Sequence, residues 1–157
     1  MGGQVSARRR EECQMMDASA EAVIRICGGL LYADGRILLG KRTATRTSYP
    51  NVWDMPGGHC EPGESFEETL ARELQEEIGI TATATARVAT VSIPADATAA
   101  TELHVYVVSR WDGVVRNCQP EEHDEIRWFT IDEACRLPLA SRWYPELFRA
   151  LPSLVPR

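Results

Sequence analysis

Runs of apolar residues separated by turn residues organise the first third of the chain. Residues 22–32 (AVIRICGGLLY) are mostly apolar and predict a largely buried β-strand. The Asp34-Gly35 pair is typical of a hairpin turn, and Arg36–Lys41 supplies the partner strand. A polar loop, Arg42–Asn51, and a short extended segment, Val52–Met55, follow. This region therefore predicts a β-hairpin and then a short strand that ends at a proline and two glycines.

The clearest element in the sequence is a helix. Phe66, Leu70, Leu74 and Ile78 recur every four residues, which places them in one stripe along a helix. Gly79 follows the last of them, at the position where a helix C-terminus favours glycine. The pattern predicts an amphipathic helix, running from the first of these apolar residues to the last, that packs its stripe against a core.

The second half of the chain predicts more strands, then two short helices. Strands are predicted at Thr85–Ile93, Leu103–Trp111 and Ile126–Thr130, with an acidic loop over Glu121–Glu125 before the last one. Asp132 is predicted to cap a helix over Glu133–Leu137, and a final helix is predicted over Tyr144–Leu151. Strands and helices mixed in this way indicate an α/β protein.

Length and composition fit one compact domain. The chain has 157 residues, of which 44% are hydrophobic and 25% charged. The domain is expected to cover residues 21–152, after a polar tail at 1–20 that is expected to be disordered. Residues 154–157 (LVPR) match half of a thrombin site and are interpreted as a remnant of an expression tag, with a native origin as the alternative.

Several function classes are excluded by the composition. No apolar run reaches the roughly 20 residues that span a bilayer, and the N-terminus does not resemble a signal peptide. The five cysteines are scattered without a C-x-x-C pair, which favours a reducing, cytoplasmic location. No basic excess is present for binding a nucleic acid polymer. We therefore expect neither membrane nor nucleic acid partners, and the sequence leaves a homodimer open.

The net charge of the chain is concentrated in one short segment. Gly58–Ile80 contains seven glutamates and one arginine, so it carries the whole formal net charge of −6. A segment this acidic repels itself unless water or divalent cations neutralise it. An ordinary solvated helix face is one interpretation, and a metal site is the other.

Spacing within this segment favours the metal site. Glu73 is three residues from Glu76 and four from Glu77, so the three carboxylates share one helical face. We expect that face to lie opposite or beside the apolar stripe, on the exposed side. Carboxylate oxygens are the ligands that Mg²⁺ and Mn²⁺ prefer. Arg72 is the local cation that can orient one of them, and Glu64 fits the positive end of the helix dipole.

A longer pattern includes these residues. The segment Gly58–Ile80 satisfies every fixed position of the Nudix box, G-x5-E-x7-R-E-U-x-E-E-x-G-U, where U is a bulky aliphatic residue. The fixed positions are Gly58, Glu64, Arg72, Glu73, Leu74, Glu76, Glu77, Gly79 and Ile80. The chain thus resembles a Nudix hydrolase of the MutT type. That resemblance implies the Nudix fold, a mixed and mostly antiparallel β-sheet between α-helices, with the box helix on one face.

The resemblance also implies roles for individual residues. Metal ligands would be the carboxylates of Glu73, Glu76 and Glu77 and the backbone carbonyl of Gly57, while Glu64 and Arg72 would support them. A further acid from the loop before the last strand often completes such a site, and Glu125 is the first candidate, with Glu122 next. Lys41 and Arg42, near a strand end, are candidate phosphate contacts, with an ordinary solvent-facing basic pair as the alternative.

The activity implied is Mg²⁺-dependent hydrolysis of a nucleoside triphosphate to the monophosphate and pyrophosphate, with Mn²⁺ as a substitute. Oxidised dGTP is one candidate substrate, although Leu139 and Ala140 stand where a base-reading acid or amide is expected. Two alternatives remain: a pyrophosphatase acting on ADP-ribose or another nucleoside diphosphate derivative, and a non-catalytic Nudix module that binds a nucleotide.

Overall fold

The computed structural model describes residues 22–94 and 99–155. The predicted N-terminal tail lies outside the described residues, as do most of the loop after Pro94 and the last two residues of the chain. Within the described residues, no helix is long and apolar enough to cross a membrane.

Seven strands and three helices make up the described part of the chain. The strands are β1 (Ile24–Ala33), β2 (Arg36–Arg42), β3 (Trp53–Asp54), β4 (Gly57–His59), β5 (Thr81–Ile93), β6 (Thr101–Asp112) and β7 (His123–Thr130). The helices are α1 (Phe66–Ile78), α2 (Ile131–Ala134) and α3 (Tyr144–Leu154). The long helix falls where the apolar stripe predicted it.

Strand β1 lies in the middle of the sheet. It runs parallel to β6, from the Ile24–Thr101 pair to the Leu31–Val108 pair, and its other edge pairs antiparallel with β4 and β2. The pairs β5–β6, β2–β3 and β2–β7 are all antiparallel. The sheet is therefore mixed and mostly antiparallel, which confirms the predicted fold class.

Helices cover both faces of the sheet. On one face, α1 buries Leu70, Leu74 and Ile78 against the sheet. On the other face, α3 buries Phe148 and Leu151 in a second core cluster. Burial of these apolar side chains is the main favourable contribution to the stability of the fold. The sandwich brings the box helix against the strands that flank the glycine pair.

Both ends of α1 are capped by local interactions. The Ser65 hydroxyl accepts a hydrogen bond from the Glu68 backbone N–H, and the Ser65 N–H donates to the Glu68 carboxylate, which forms a capping box. At the other end, Gly79 adopts a φ of 72° and its N–H returns to the carbonyls of the last turn. These caps fix where the helix begins and ends, and therefore which residues share its faces.

Several predicted boundaries were wrong. The helix predicted over Glu133–Leu137 covers Ile131–Ala134 instead. Strand β5 begins at Thr81 rather than at the predicted Thr85, because the whole segment pairs with β6 as far as Asp112. Strand β7 begins at His123, so three of the five residues of the predicted acidic loop are strand, paired with the end of β2. The cap of α2 is Thr130, whose hydroxyl accepts from the Glu133 N–H, and Asp132 lies inside the first turn. Helix α3 runs on to Leu154, through a proline.

Candidate active site

The site forms where the glycine pair of β4 passes beneath α1. Gly57 and Gly58 pair with β1, and neither position has room for a side chain. A Cβ on Gly57 would collide with the Cys27 carbonyl, and a Cβ on Gly58 would collide with the Glu73 carboxylate. The glycines therefore let backbone and carboxylates approach each other closely.

Arg72 organises the supporting half of the site. Its Nε donates to Glu64 Oε1 at 2.7 Å and its Nη2 donates to Glu64 Oε2 at 2.9 Å, which makes a two-pronged ion pair. This interaction holds the pKa of Glu64 down, at about 2. The same guanidinium donates to Glu73 at 2.9 Å and to the His59 carbonyl at 3.1 Å. One arginine thus ties the entry to α1, strand β4 and the carboxylate face together.

Glu77 is buried, which corrects the expectation that all three carboxylates face solvent. It is 5% exposed, because it lies three residues after Leu74 and beside the apolar stripe. Burial is the main reason that its pKa rises to about 8, and the charge of Glu73 adds to the rise. The Gly57 N–H donates to it at 3.1 Å and offsets part of that cost.

Glu73 and Glu76 differ in their surroundings. Burial raises the pKa of Glu73, while Arg72 acts in the opposite direction. The Glu76 side chain is 48% exposed, with one oxygen 3.4 Å from the same guanidinium. The carboxylates therefore range from buried to open along a single helical face.

The chemistry of this donor set fits a divalent cation. Glu77 is buried and Glu73 is partly buried, and the charge of Glu73 adds to the rise in the pKa of Glu77, so a bound cation would offset both the burial of charge and this repulsion. The glycine pair leaves a cradle that a Cβ would fill. Across the described residues, no three acidic, histidine or cysteine side chains already surround one point as ligands.

Glu122, the second candidate, and Glu125 have different surroundings. The charge of Glu122 acts on both Glu73 and Glu77 and raises their pKa values. Glu125 instead accepts a hydrogen bond from Arg127 at 2.7 Å, on strand β7. The difference follows from β7 starting early, since pairing with β2 takes Glu125 out of the loop.

In the part of the chain that the structure describes, neither Lys41 nor Arg42 forms an ion pair with the box carboxylates, although Arg42 lies 3.8 Å from Asp54. Lys41 is paired across the sheet with Trp53 and Glu125. Arg42 donates to the carbonyls of Ser48, at 2.7 Å, and of the residue that follows it, at 3.0 Å. The structure thus uses Arg42 to hold the loop after β2.

Sequence reasoning did not select Asp54, which adjoins the site. Its carboxylate accepts from the Tyr144 hydroxyl at 2.6 Å and from the Met55 N–H at 2.8 Å. Burial raises the pKa of Asp54, and its charge in turn acts on Glu77. A signal was present, because an acidic residue between a tryptophan and a methionine is unusual in a buried strand. Its partner on α3 could not be read from the sequence.

These features define a class of protein: an α/β enzyme whose acidic helix and glycine pair form a single carboxylate site. Comparison with known proteins supports this description. The family model of the NUDIX domain matches residues 23–151. A CTP pyrophosphohydrolase from Escherichia coli (strain K12) is 34% identical over 131 residues, covering 82% of this chain and 93% of the relative.

Two further comparisons agree. An oxidized purine nucleoside triphosphate hydrolase from Danio rerio is 28% identical over 121 residues, covering 75% of this chain and 71% of the relative. The crystal structure of a MutT NUDIX hydrolase from Burkholderia pseudomallei matches with a TM-score of 0.72 and 28% identity, covering 82% of this chain and 98% of that one. The chain belongs to the Nudix hydrolase family. The predicted enzyme class, a hydrolase of phosphoanhydride bonds, is confirmed.

Proposed function

We propose that this enzyme hydrolyses a nucleoside triphosphate to the nucleoside monophosphate and pyrophosphate, with Mg²⁺ as its cofactor and Mn²⁺ as a substitute. The observation that carries the proposal is the close approach of Glu73 and Glu77, one partly buried and one buried, to the glycine pair. Names of two relatives, one for CTP and one for oxidised purine triphosphates, support a triphosphate substrate.

Residues of the box would hold the cofactor. We assign Glu73, Glu76, Glu77 and the Gly57 carbonyl as ligands, and Glu122 as the acid that completes the site in place of Glu125. The chemistry that Mg²⁺ supplies when bound is neutralisation of the phosphate oxygens and a lowered pKa of the attacking water. No metal or substrate contact is implied for Lys41 by its position in the sheet.

The protein's own part in the reaction is positioning and proton transfer. Glu64 and Arg72 lock the start of α1, so that the carboxylate face is held in place before substrate arrives. The oxygen of the attacking water would bond to a phosphorus of the linkage that joins the monophosphate to the pyrophosphate, while a nearby carboxylate, for which Glu122 is our candidate, accepts the water's proton. The phosphoanhydride P–O bond breaks, and the departing phosphate oxygen keeps the electrons of that bond.

The proposal is tested by a panel of substrates assayed by product analysis in Mg²⁺. The panel contains the natural NTPs and dNTPs, oxidised dGTP, ADP-ribose and a dinucleoside polyphosphate, each also assayed with EDTA. We expect monophosphate and pyrophosphate from at least one triphosphate and no turnover with EDTA. Faster cleavage of ADP-ribose than of every triphosphate would assign the alternative substrate class. Absence of turnover on the whole panel would contradict the proposed activity.

A further inference from the structure

The loop between β2 and β3 contains one arginine, Arg46, which pairs with Glu122 in the segment before β7. Its Nη1 lies 3.0 Å from Glu122 Oε1, and the two side chains are 32% and 34% exposed. The charge of Glu122 in turn raises the pKa values of Glu73 and Glu77. Arg46 is therefore paired with a carboxylate that interacts electrostatically with Glu73 and Glu77 on α1.

Hydrogen bonds fix this loop to the segment that carries Glu122. The Thr43 N–H donates to the Glu122 carbonyl at 3.1 Å, and the Thr43 hydroxyl donates to the Glu121 carbonyl at 3.3 Å. At the other end of the loop, Arg42 donates to the backbone carbonyls of Ser48 and Tyr49, and Tyr49 has a φ of 50°. A left-handed tyrosine is strained, and such strain persists only where the surroundings enforce it.

Arg42 and Arg72, by contrast, already have close partners within the fold. Arg42 holds the loop and lies 3.8 Å from Asp54, and Arg72 is paired with Glu64 through both oxygens. Arg46 has instead a single exposed contact with one carboxylate, and an ion pair of this kind is weak. It can exchange that partner for another anion without breaking the core.

We propose that Arg46 binds the phosphate chain of the nucleotide, exchanging the Glu122 carboxylate for phosphate oxygens when substrate enters. This inference rests on the proposed function, because it needs a polyphosphate beside the acidic face of α1. A guanidinium presents two parallel N–H groups that match a phosphate, and Arg46 already has one nitrogen, Nη1, 3.0 Å from a carboxylate oxygen. Glu122 holds the arginine in place until then.

The test compares Arg46→Ala with a matched control, Arg127→Ala. Arg127 likewise pairs with a glutamate, Glu125, at 2.7 Å, and its side chain is 56% exposed. Calorimetry in Mg²⁺ measures binding of pyrophosphate and of a nucleoside monophosphate, and steady-state assays measure KM and kcat for the triphosphate. Mn²⁺ affinity, measured by electron paramagnetic resonance, and the melting temperature report whether the variants keep the metal site and the fold.

We expect Arg46→Ala to weaken pyrophosphate binding and raise KM by about tenfold or more, the range for a charge-assisted contact, with a smaller change in kcat. Monophosphate binding, Mn²⁺ affinity and melting temperature should stay near wild type, as should all properties of Arg127→Ala. Arg46→Lys should recover part of the binding. Wild-type pyrophosphate affinity in Arg46→Ala would overturn the inference, as would an equal loss of Mn²⁺ affinity, which would show that Arg46 acts only through Glu122.

Failure of the inference and failure of the proposed function give different results. If the wild type cleaves a triphosphate and Arg46→Ala does so with unchanged KM, only the role of Arg46 is wrong. If the wild type cleaves none, the proposed activity is wrong, and the pyrophosphate measurement still decides whether Arg46 binds phosphate.

Discussion

Glu77 is a buried carboxylate in the proposed metal site. Its burial disfavours the negative charge that binding of a cation would require. The side chain is 5% exposed, beside a second carboxylate and with one backbone N–H as its hydrogen-bond donor. A buried carboxylate without a counter-charge costs free energy, so the metal-free protein partly relieves the cost by holding a proton there. In the proposed enzyme, a cation would take over that role. The residue is therefore a source of instability that ligand binding would remove.

The raised pKa of Glu77 predicts a pH-dependent cost in metal-free protein. Its pKa is about 8 when folded and 4.5 ordinarily, so the proton it holds stabilises the fold below 4.5 and the benefit is lost as pH rises through 8. We expect the melting temperature of Glu77→Gln, minus that of the wild type, to increase across this interval in EDTA. The difference between variants cancels the opposite contribution of His123, whose pKa is lowered by burial.

A difference that stayed constant across the interval would contradict the raised pKa. Glu61→Gln provides the control for the charge change, because Glu61 is exposed and belongs to the same acidic segment. Its melting temperature relative to wild type should not change in the same way.

Neutralising the assigned ligands should abolish most of the activity. We expect Glu76→Gln and Glu77→Gln each to lower kcat by about 100-fold or more, because charge stabilisation by a held cation supplies several kcal/mol to such reactions. Steady-state kinetics on the best triphosphate measure the change, and circular dichroism checks the fold. Glu61→Gln should retain wild-type kcat. Near wild-type turnover in both box variants would show that neither carboxylate is a ligand.

On the scale of the element, α1 must place its acidic face and its apolar stripe in one fixed register. Leu74 packs against the sheet while Glu73 and Glu77, its near neighbours, reach the glycine pair. Sliding or fraying of the first turn would move Glu64 and its arginine together. The capping interactions at both ends therefore serve the site as well as the stability of the helix.

Removing the N-cap should cost stability without changing the fold. Ser65→Ala loses the hydroxyl that accepts from the Glu68 N–H, and we expect the free energy of unfolding to fall by about 1 kcal/mol. Urea unfolding followed by circular dichroism measures the change. Ser65→Asn keeps an oxygen at the cap and should recover most of the loss. Equal stability of the alanine variant and the wild type would mean that the cap contributes nothing in solution.

At the scale of the whole molecule, the sheet with helices on both faces brings residues from separate parts of the chain together. In the proposed site, strand β4 supplies the glycines, α1 the carboxylates, and the segment before β7 supplies Glu122. Because the apolar clusters on both faces hold these elements together, a ligand that binds across them stabilises the folded state as a unit.

Mg²⁺ should therefore raise the melting temperature of the intact protein. At a concentration about 100 times its dissociation constant, a bound ion adds about 2.7 kcal/mol, which corresponds to an increase of about 5–10 °C for a domain of this size. A thermal-shift titration measures this, and EDTA should reverse it. The double variant Glu73→Gln/Glu77→Gln should show no shift. A wild-type melting temperature that does not respond to Mg²⁺ or Mn²⁺ would contradict the assigned cofactor.

The sequence by itself determined the elements whose signal is local. The four-residue apolar repeat fixed α1, since packing of one stripe depends on helical period, and the box residues followed from their spacing along that helix. The same local reasoning placed the hairpin of β1 and β2. The family, and with it the fold class, could be inferred because the box motif is contiguous in the chain.

Only the tertiary structure decided which distant groups meet. Glu77 looked exposed from spacing alone, but β4 lies against that side of α1 and buries it. The choice between Glu122 and Glu125, and the position of Arg46, depend on where pairing between β2 and β7 begins. Sheet register and loop conformation are set by contacts between residues far apart in sequence, and no local pattern encodes them.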